Sequence, residues 1–94
     1  MDAAQSIHVV VEGRVQGVGY RAWTSREAQR RQLHGWVRNR ADGAVEVVFC
    51  GPEQAVQDMI AACRKGPASA QVRKITASAY TGGALVGFRV LPTD

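Results

Sequence analysis

Two cysteines, Cys50 and Cys63, are all that the 94-residue chain carries. They are too few for a disulfide scaffold and lack the paired spacing of zinc ligands, so they read as small buried hydrophobes kept as thiols in a reducing compartment. Long apolar runs are also missing. No stretch approaches the roughly 20 residues that a membrane-spanning helix needs, and Met1 to Ser6 shows no basic start followed by an apolar segment. These absences lead to the expectation of a cytoplasmic protein without membrane association.

Ninety-four residues suffice for one modest hydrophobic core and not for two, so residues 1–94 are expected to form a single domain, monomeric by default. A cleft between two domains is excluded. Hydrophobic residues make up 46% and charged residues 21%, the balance of an ordinary soluble globular protein rather than a disordered or fibrous one. The formal charge of +4 favours anionic partners of any kind, and it equally suits a protein that is merely basic.

Periodicity supplies the elements. Ile7, Val9 and Val11 alternate with His8, Val10 and Glu12, which predicts a strand ending near Glu12 with one side on a core. Gly13 to Gly19 holds three glycines in seven positions, a shaped loop rather than a helix or strand interior. Tyr20 to about Gln32 has helical composition with a weak stripe of Tyr20, Trp23, Thr24 and Ala28. Thr24 and Glu27 have the spacing of a capping box, which would move the helix start to about Ser25.

Alternation over Gly35–Arg40 and over Val45–Cys50, with Ala41-Asp42-Gly43 between, predicts a hairpin. A second helix opens with Pro52 in its first turn, carries Val56, Met59, Ile60 and Cys63 at three-and-four spacing, and closes at Arg64-Lys65 before Gly66-Pro67. Val72–Tyr80 and Val86–Leu91 read as two more strands. The order β-α-β-β-α-β-β suits an α+β sandwich of the split β-α-β kind, a largely antiparallel sheet with two helices on one face. In the first β-α-β unit a right-handed crossover makes its two strands parallel, so both end at the same edge. The glycine loop and Asn39 then become neighbours.

The segment Gly13-Arg14-Val15-Gln16-Gly17-Val18-Gly19-Tyr20-Arg21 joins a strand to a helix. Glycines there let successive N–H groups converge on an oxyanion; a helix N-terminus adds free donors and Arg21 a planar charged fork. A nucleotide P-loop requires Lys followed by Ser or Thr after its last glycine, and Tyr20-Arg21 fails that test. Gly17-Val18-Gly19-Tyr20-Arg21-Ala22 satisfies the dinucleotide pattern G-x-G-x-x-A. However, the acidic residue about twenty positions on, Asp42, lies in a hairpin turn, and the chain is too short for the full dinucleotide-binding sheet. On spacing alone a third reading stays open: the glycines make a turn and Arg21 is a solvated charge.

The same run, together with Gly35-Trp36-Val37-Arg38-Asn39 and Asp42-Gly43-Ala44-Val45-Glu46, closely resembles the two signature segments of the acylphosphatase family. Gly51-Pro52, Gly66-Pro67 and Phe88-Arg89-Val90 extend the resemblance over nearly the whole chain. It implies a ferredoxin-like fold, hydrolysis of the carboxyl-phosphate bond of small acyl phosphates to carboxylate and inorganic phosphate, and no cofactor or metal. It also places the first helix start near Tyr20. By position, Arg21 matches the family's catalytic arginine and Asn39 its catalytic asparagine, with Val15, Gln16, Gly17, Val18, Gly19 and Tyr20 matching the phosphate-binding loop. Arg31 and Gln32 stand where the family usually has an apolar residue and a glycine, and Tyr20 replaces a more frequent phenylalanine.

Neither His8, placed mid-strand on the less apolar face, nor His34, at the far end of its strand from Asn39, makes a persuasive general base; both read as surface residues. Trp23 and Trp36 read as packing groups. The rival of another class is a basic nucleic-acid-binding module, since sheets of this kind can carry RNA on paired exposed aromatics. The open face of the first and third strands, with His8, Val10, Glu12, Glu46, Val48 and Cys50, offers no such pair, and no nucleic-acid partner is expected.

Overall fold

The computed structural model describes residues 3–94. Elements run β1 (Ala4–Arg14), α1 (Tyr20–Arg30), β2 (His34–Asn39), β3 (Val45–Pro52), α2 (Glu53–Lys65), β4 (Gln71–Ala79) and β5 (Phe88–Val90). The sheet order is β4-β1-β3-β2-β5. Three of its pairings are antiparallel, and β2 with β5 is parallel. The expected α+β, ferredoxin-like sandwich is therefore the observed one, with the added strand on the β2 edge.

Because β1 and β2 both run antiparallel to β3 between them, they are parallel to each other and end at the same edge of the sheet. Val9, Val11, Val37, Val45, Val47 and Phe49 are buried on one face of the sheet, with Val56, Met59 and Cys63 of α2 and Tyr20 and Ala28 of α1 in the same core. The alternation that predicted β1 is thus the alternation between core and open face.

Several boundaries move: β3 runs past Cys50 to Pro52, which stands at the N-cap of α2 in extended conformation rather than in its first turn. β1 continues past Glu12 to Arg14 by pairing with β4 through a bulge at Glu12/Gly13, an extension that apolar periodicity does not signal because Gly13 and Arg14 carry none. β5 keeps only Phe88–Val90 of the expected Val86–Leu91. Its start is delayed by Gly87, at φ 75°, whose N–H goes instead to the His34 Nδ1 at 2.8 Å.

The first helix starts at Tyr20 and not near Ser25: Gly19 is its N-cap, in the left-handed region, and Thr24 is fully buried inside the helix. Its far end explains the two departures from the family pattern. Arg31 is no apolar residue astray, since its guanidinium meets the Glu27 carboxylate at 2.7 Å. Leu33 N–H donates to Ala28 O and Gln32 N–H to Gln29 O, both at 2.9 Å, the bond pattern of a Schellman motif with Gln32 as its left-handed residue. Gln32 has φ 59°, a conformation in which glycine lacks the Cβ penalty. Gln32→Gly is therefore expected to raise stability by about 0.5–1 kcal/mol, measured as a higher urea midpoint at unchanged slope.

On the open face Trp36 and His8 meet edge to face at a centroid distance of 6.5 Å, and the Arg38 guanidinium stands 5.1 Å from the Trp36 ring centroid. Val48, one of the open-face residues, is fully buried between its pairing partners His8 and Trp36. His8 is more than a surface residue: its Nε2 lies 2.6 Å from the Glu46 Oε2, while the Arg38 Nε donates to Oε1 at 2.8 Å. Burial alone would raise the Glu46 carboxyl, but the bonds to His8 and Arg38 outweigh it and hold the group below its usual range. This face is a closed charge network rather than an aromatic platform.

Candidate active site

The parallel ends of β1 and β2 bring the glycine loop and Asn39 together. A cavity of about 310 Å³ between them is lined by Val15, Gln16, Gly17, Gly19, Tyr20, Arg21, Ala22, Asn39 and Val90. Seven of these nine are residues singled out from the sequence.

The loop is shaped by its glycines. Gly17 and Gly19 have φ 73° and 78°, so left-handed residues alternate along the turn, which aims neighbouring N–H groups to one side. Among the described residues the first α1 amide to find a main-chain acceptor is that of Trp23, which donates to Gly19 O at 3.0 Å. The amides of Tyr20, Arg21 and Ala22 are the free donors of the helix N-terminus, with its positive dipole end behind the loop.

Each side chain in the segment has a distinct task. Val15 is buried and Val18 packs against the core, anchoring the loop at two points; Val18 is absent from the cavity wall. Gln16 does not point its amide at the cavity: its Nε2 donates to Arg40 O and to Ala44 O, both at 2.9 Å. Those carbonyls flank the β2–β3 hairpin, where Arg40 N–H also donates to Ala44 O at 2.8 Å and the Asp42 Oδ1 accepts from Ala44 N–H at 3.0 Å. Gln16 thereby ties the loop to the hairpin that follows Asn39.

Tyr20 sends its hydroxyl away from the loop, donating to Cys63 O at 2.7 Å, and so caps a carbonyl of the last turn of α2. Burial drives its phenol far above the ordinary range, and the neighbouring Cys63 adds to the effect. Burial likewise pushes the Cys63 thiol up to about 12. Neither group exchanges protons near neutral pH. The phenylalanine-to-tyrosine difference thus joins the two helices and leaves the cavity's chemistry alone.

Arg21 is half-buried in the cavity wall and, among the described residues, enters no salt bridge. Its charge is available to an anion. Asn39 has its main-chain oxygen occupied by Asp94 N–H at 3.0 Å, whereas its Oδ1 is buried with no protein partner. A buried acceptor left unpaired costs about 1–3 kcal/mol; the Thr24 Oγ1 inside α1 is likewise without a partner, but of the two only Asn39 lies in the cavity wall.

Ala22 and Val90 complete the wall, and the sequence alone gives neither a place in the site. Val90 arrives through the parallel pairing of β5 with β2, opposite Val37. Only that register places a residue from the last strand beside the loop, and local periodicity does not disclose it. Among the described residues no group of three or more His, Cys, Asp or Glu is arranged to hold a metal ion.

The structure is thus a two-layer α+β sandwich whose strand-to-helix loop carries free helix-end amides beside an arginine without a salt bridge. The acylphosphatase family profile matches residues 7–90, and the chain belongs to that family of enzymes. It is 54% identical over 89 residues to an acylphosphatase of Azorhizobium caulinodans, covering 94% of this chain and 96% of the relative. The fold matches an acylphosphatase structure from Coxiella burnetii at a TM-score of 0.89 and 34% identity, over 94% of this chain and 93% of that one. An acylphosphatase from Bacillus subtilis matches at 0.88 and 36% identity, over 95% and 99%.

Proposed function

We propose that residues 1–94 form a single-domain cytoplasmic enzyme, monomeric and independent of metal and nucleic acid, that hydrolyses small acyl phosphates with Arg21 and Asn39 as its catalytic residues. The observation that carries this reading is the buried, unpartnered Oδ1 of Asn39 in the same cavity as Arg21 and the free amides of the loop. An acceptor poised beside a phosphate cradle is placed to hold a water molecule.

The reaction asks little of a protein in proton transfer, because a carboxylate is a good leaving group and needs no general acid. The amides from Val15 to Arg21 and the Arg21 guanidinium hold the phosphoryl oxygens and stabilise the charge that develops on them. Asn39 accepts a hydrogen bond from the attacking water and fixes it in line with the departing oxygen. The water oxygen bonds to phosphorus, the phosphorus–oxygen bond to the acyl group breaks, and its electron pair leaves on the carboxylate. An amide is no base at neutral pH, so the water proton passes to the phosphate's own oxygen. The products are a carboxylate and dihydrogen phosphate, which balance the doubly charged acyl phosphate and water.

The test is hydrolysis of benzoyl phosphate by the purified protein in ¹⁸O-labelled water. Label is expected in inorganic phosphate and not in benzoate, with inorganic phosphate inhibiting competitively. Label in benzoate would mean attack at the acyl carbon, and absence of hydrolysis would remove the reading altogether.

A further inference from the structure

The phosphate cradle does not fill the cavity. The cavity, about 310 Å³, is also lined by Ala22 and Val90, which lie outside the loop and its arginine. What bounds the remaining room is apolar. The lining contains one cation, Arg21, and no carboxylate. Outside the cradle its exposed members are Ala22 and Val90.

Val90 is unusual for its exposure. Among the described residues the large apolar side chains left exposed are Val86, at 82%, and Val90, at 49%. Val90 is the one in the cavity wall. Its position is not a fault of packing: Phe88, two residues earlier on the same face, is stacked on Phe49 at a centroid distance of 5.9 Å, so β5 is firmly seated and holds Val90 beside the first turn of α1. A rigid strand presenting an uncovered apolar side chain inside a binding cavity is suited to an apolar part of a ligand.

We propose that Val90, with Ala22, forms the acyl subsite, and that the preferred substrates are acyl phosphates with an uncharged, apolar acyl group rather than those bearing a second carboxylate. The inference rests on the hydrolase reading above and extends it to the part of the substrate that the loop does not hold. A second carboxylate would lie against Val90 and Ala22 without a partner for its charge and would lose hydration there. A benzoyl or longer alkyl group would cover the two side chains instead.

The experiment compares kcat/KM for benzoyl, acetyl and succinyl phosphate in the natural protein, in Val90→Ser, in Val90→Lys and in Val86→Ser. Differences in leaving-group reactivity cancel when the ratios of one variant are set against those of another. Val90→Ser is expected to lower the benzoyl-to-acetyl ratio about fivefold, mainly through KM, as for loss of a one-sided apolar contact. Val90→Lys is expected to raise the succinyl-to-benzoyl ratio by tenfold or more, because it supplies the missing cation. Val86→Ser, the same change at the other exposed valine, should leave both ratios alone. Ratios that stay fixed in both Val90 variants, or that move as much in Val86→Ser, would overturn the acyl assignment while the hydrolase reading stands. Failure of the natural protein on all three substrates would overturn both.

Discussion

Asn39→Ala is expected to lower kcat by a hundredfold or more while the inhibition constant of inorganic phosphate stays within about threefold of the natural protein's. The split follows from where the side chain sits. Its Oδ1 is a buried acceptor without a protein partner, so removing it breaks no hydrogen bond of the fold. The loop amides and Arg21, proposed above to hold the phosphate, are carried by different elements. What would disappear is the contact proposed for the attacking water, made in the transition state and not in the phosphate complex. Steady-state kinetics with phosphate as inhibitor reads both numbers; natural turnover in this variant would take Asn39 out of the reaction.

Arg21→Ala should do greater harm and of another kind. Both kcat/KM and phosphate affinity are expected to fall, the first by about a thousandfold or more and the second by at least about tenfold, because a charged donor touching the phosphoryl oxygens acts in ground and transition states alike. Arg21→Lys should recover affinity better than turnover, since a point charge attracts the anion but cannot reproduce the planar fork. If Arg21→Ala retained natural phosphate affinity, the cradle would consist of main-chain amides alone and the arginine would belong elsewhere.

The parts of this molecule that sequence reading reached are those whose cause is local. Alternating valines placed β1 and β3, three-and-four spacing placed α2, and glycine spacing placed the loop; each is a statement about neighbours within a few residues. The nearness of Asn39 to the loop is also legible, since a β-α-β crossover joins parallel strands and so brings their ends to one edge. Other features depend on partners far along the chain. The extension of β1 to Arg14 is created by β4, the entry of Val90 into the cavity by the parallel register of β5 on β2, and the Glu46 cluster by the adjacency of β1, β3 and β2. From local spacing the start of α1 is ambiguous for a physical reason: Thr24 and Glu27 spell a cap, which the chain does not use because Gly19 caps the helix and Thr24 is buried within it.

The amide of Gln16, bonded to the two carbonyls that flank the hairpin turn, makes one body of the glycine turn and the strand end that bears Asn39. An arriving substrate meets a mould already set. The entropy of arranging those residues is lost once, when the chain folds, and not each time a ligand arrives.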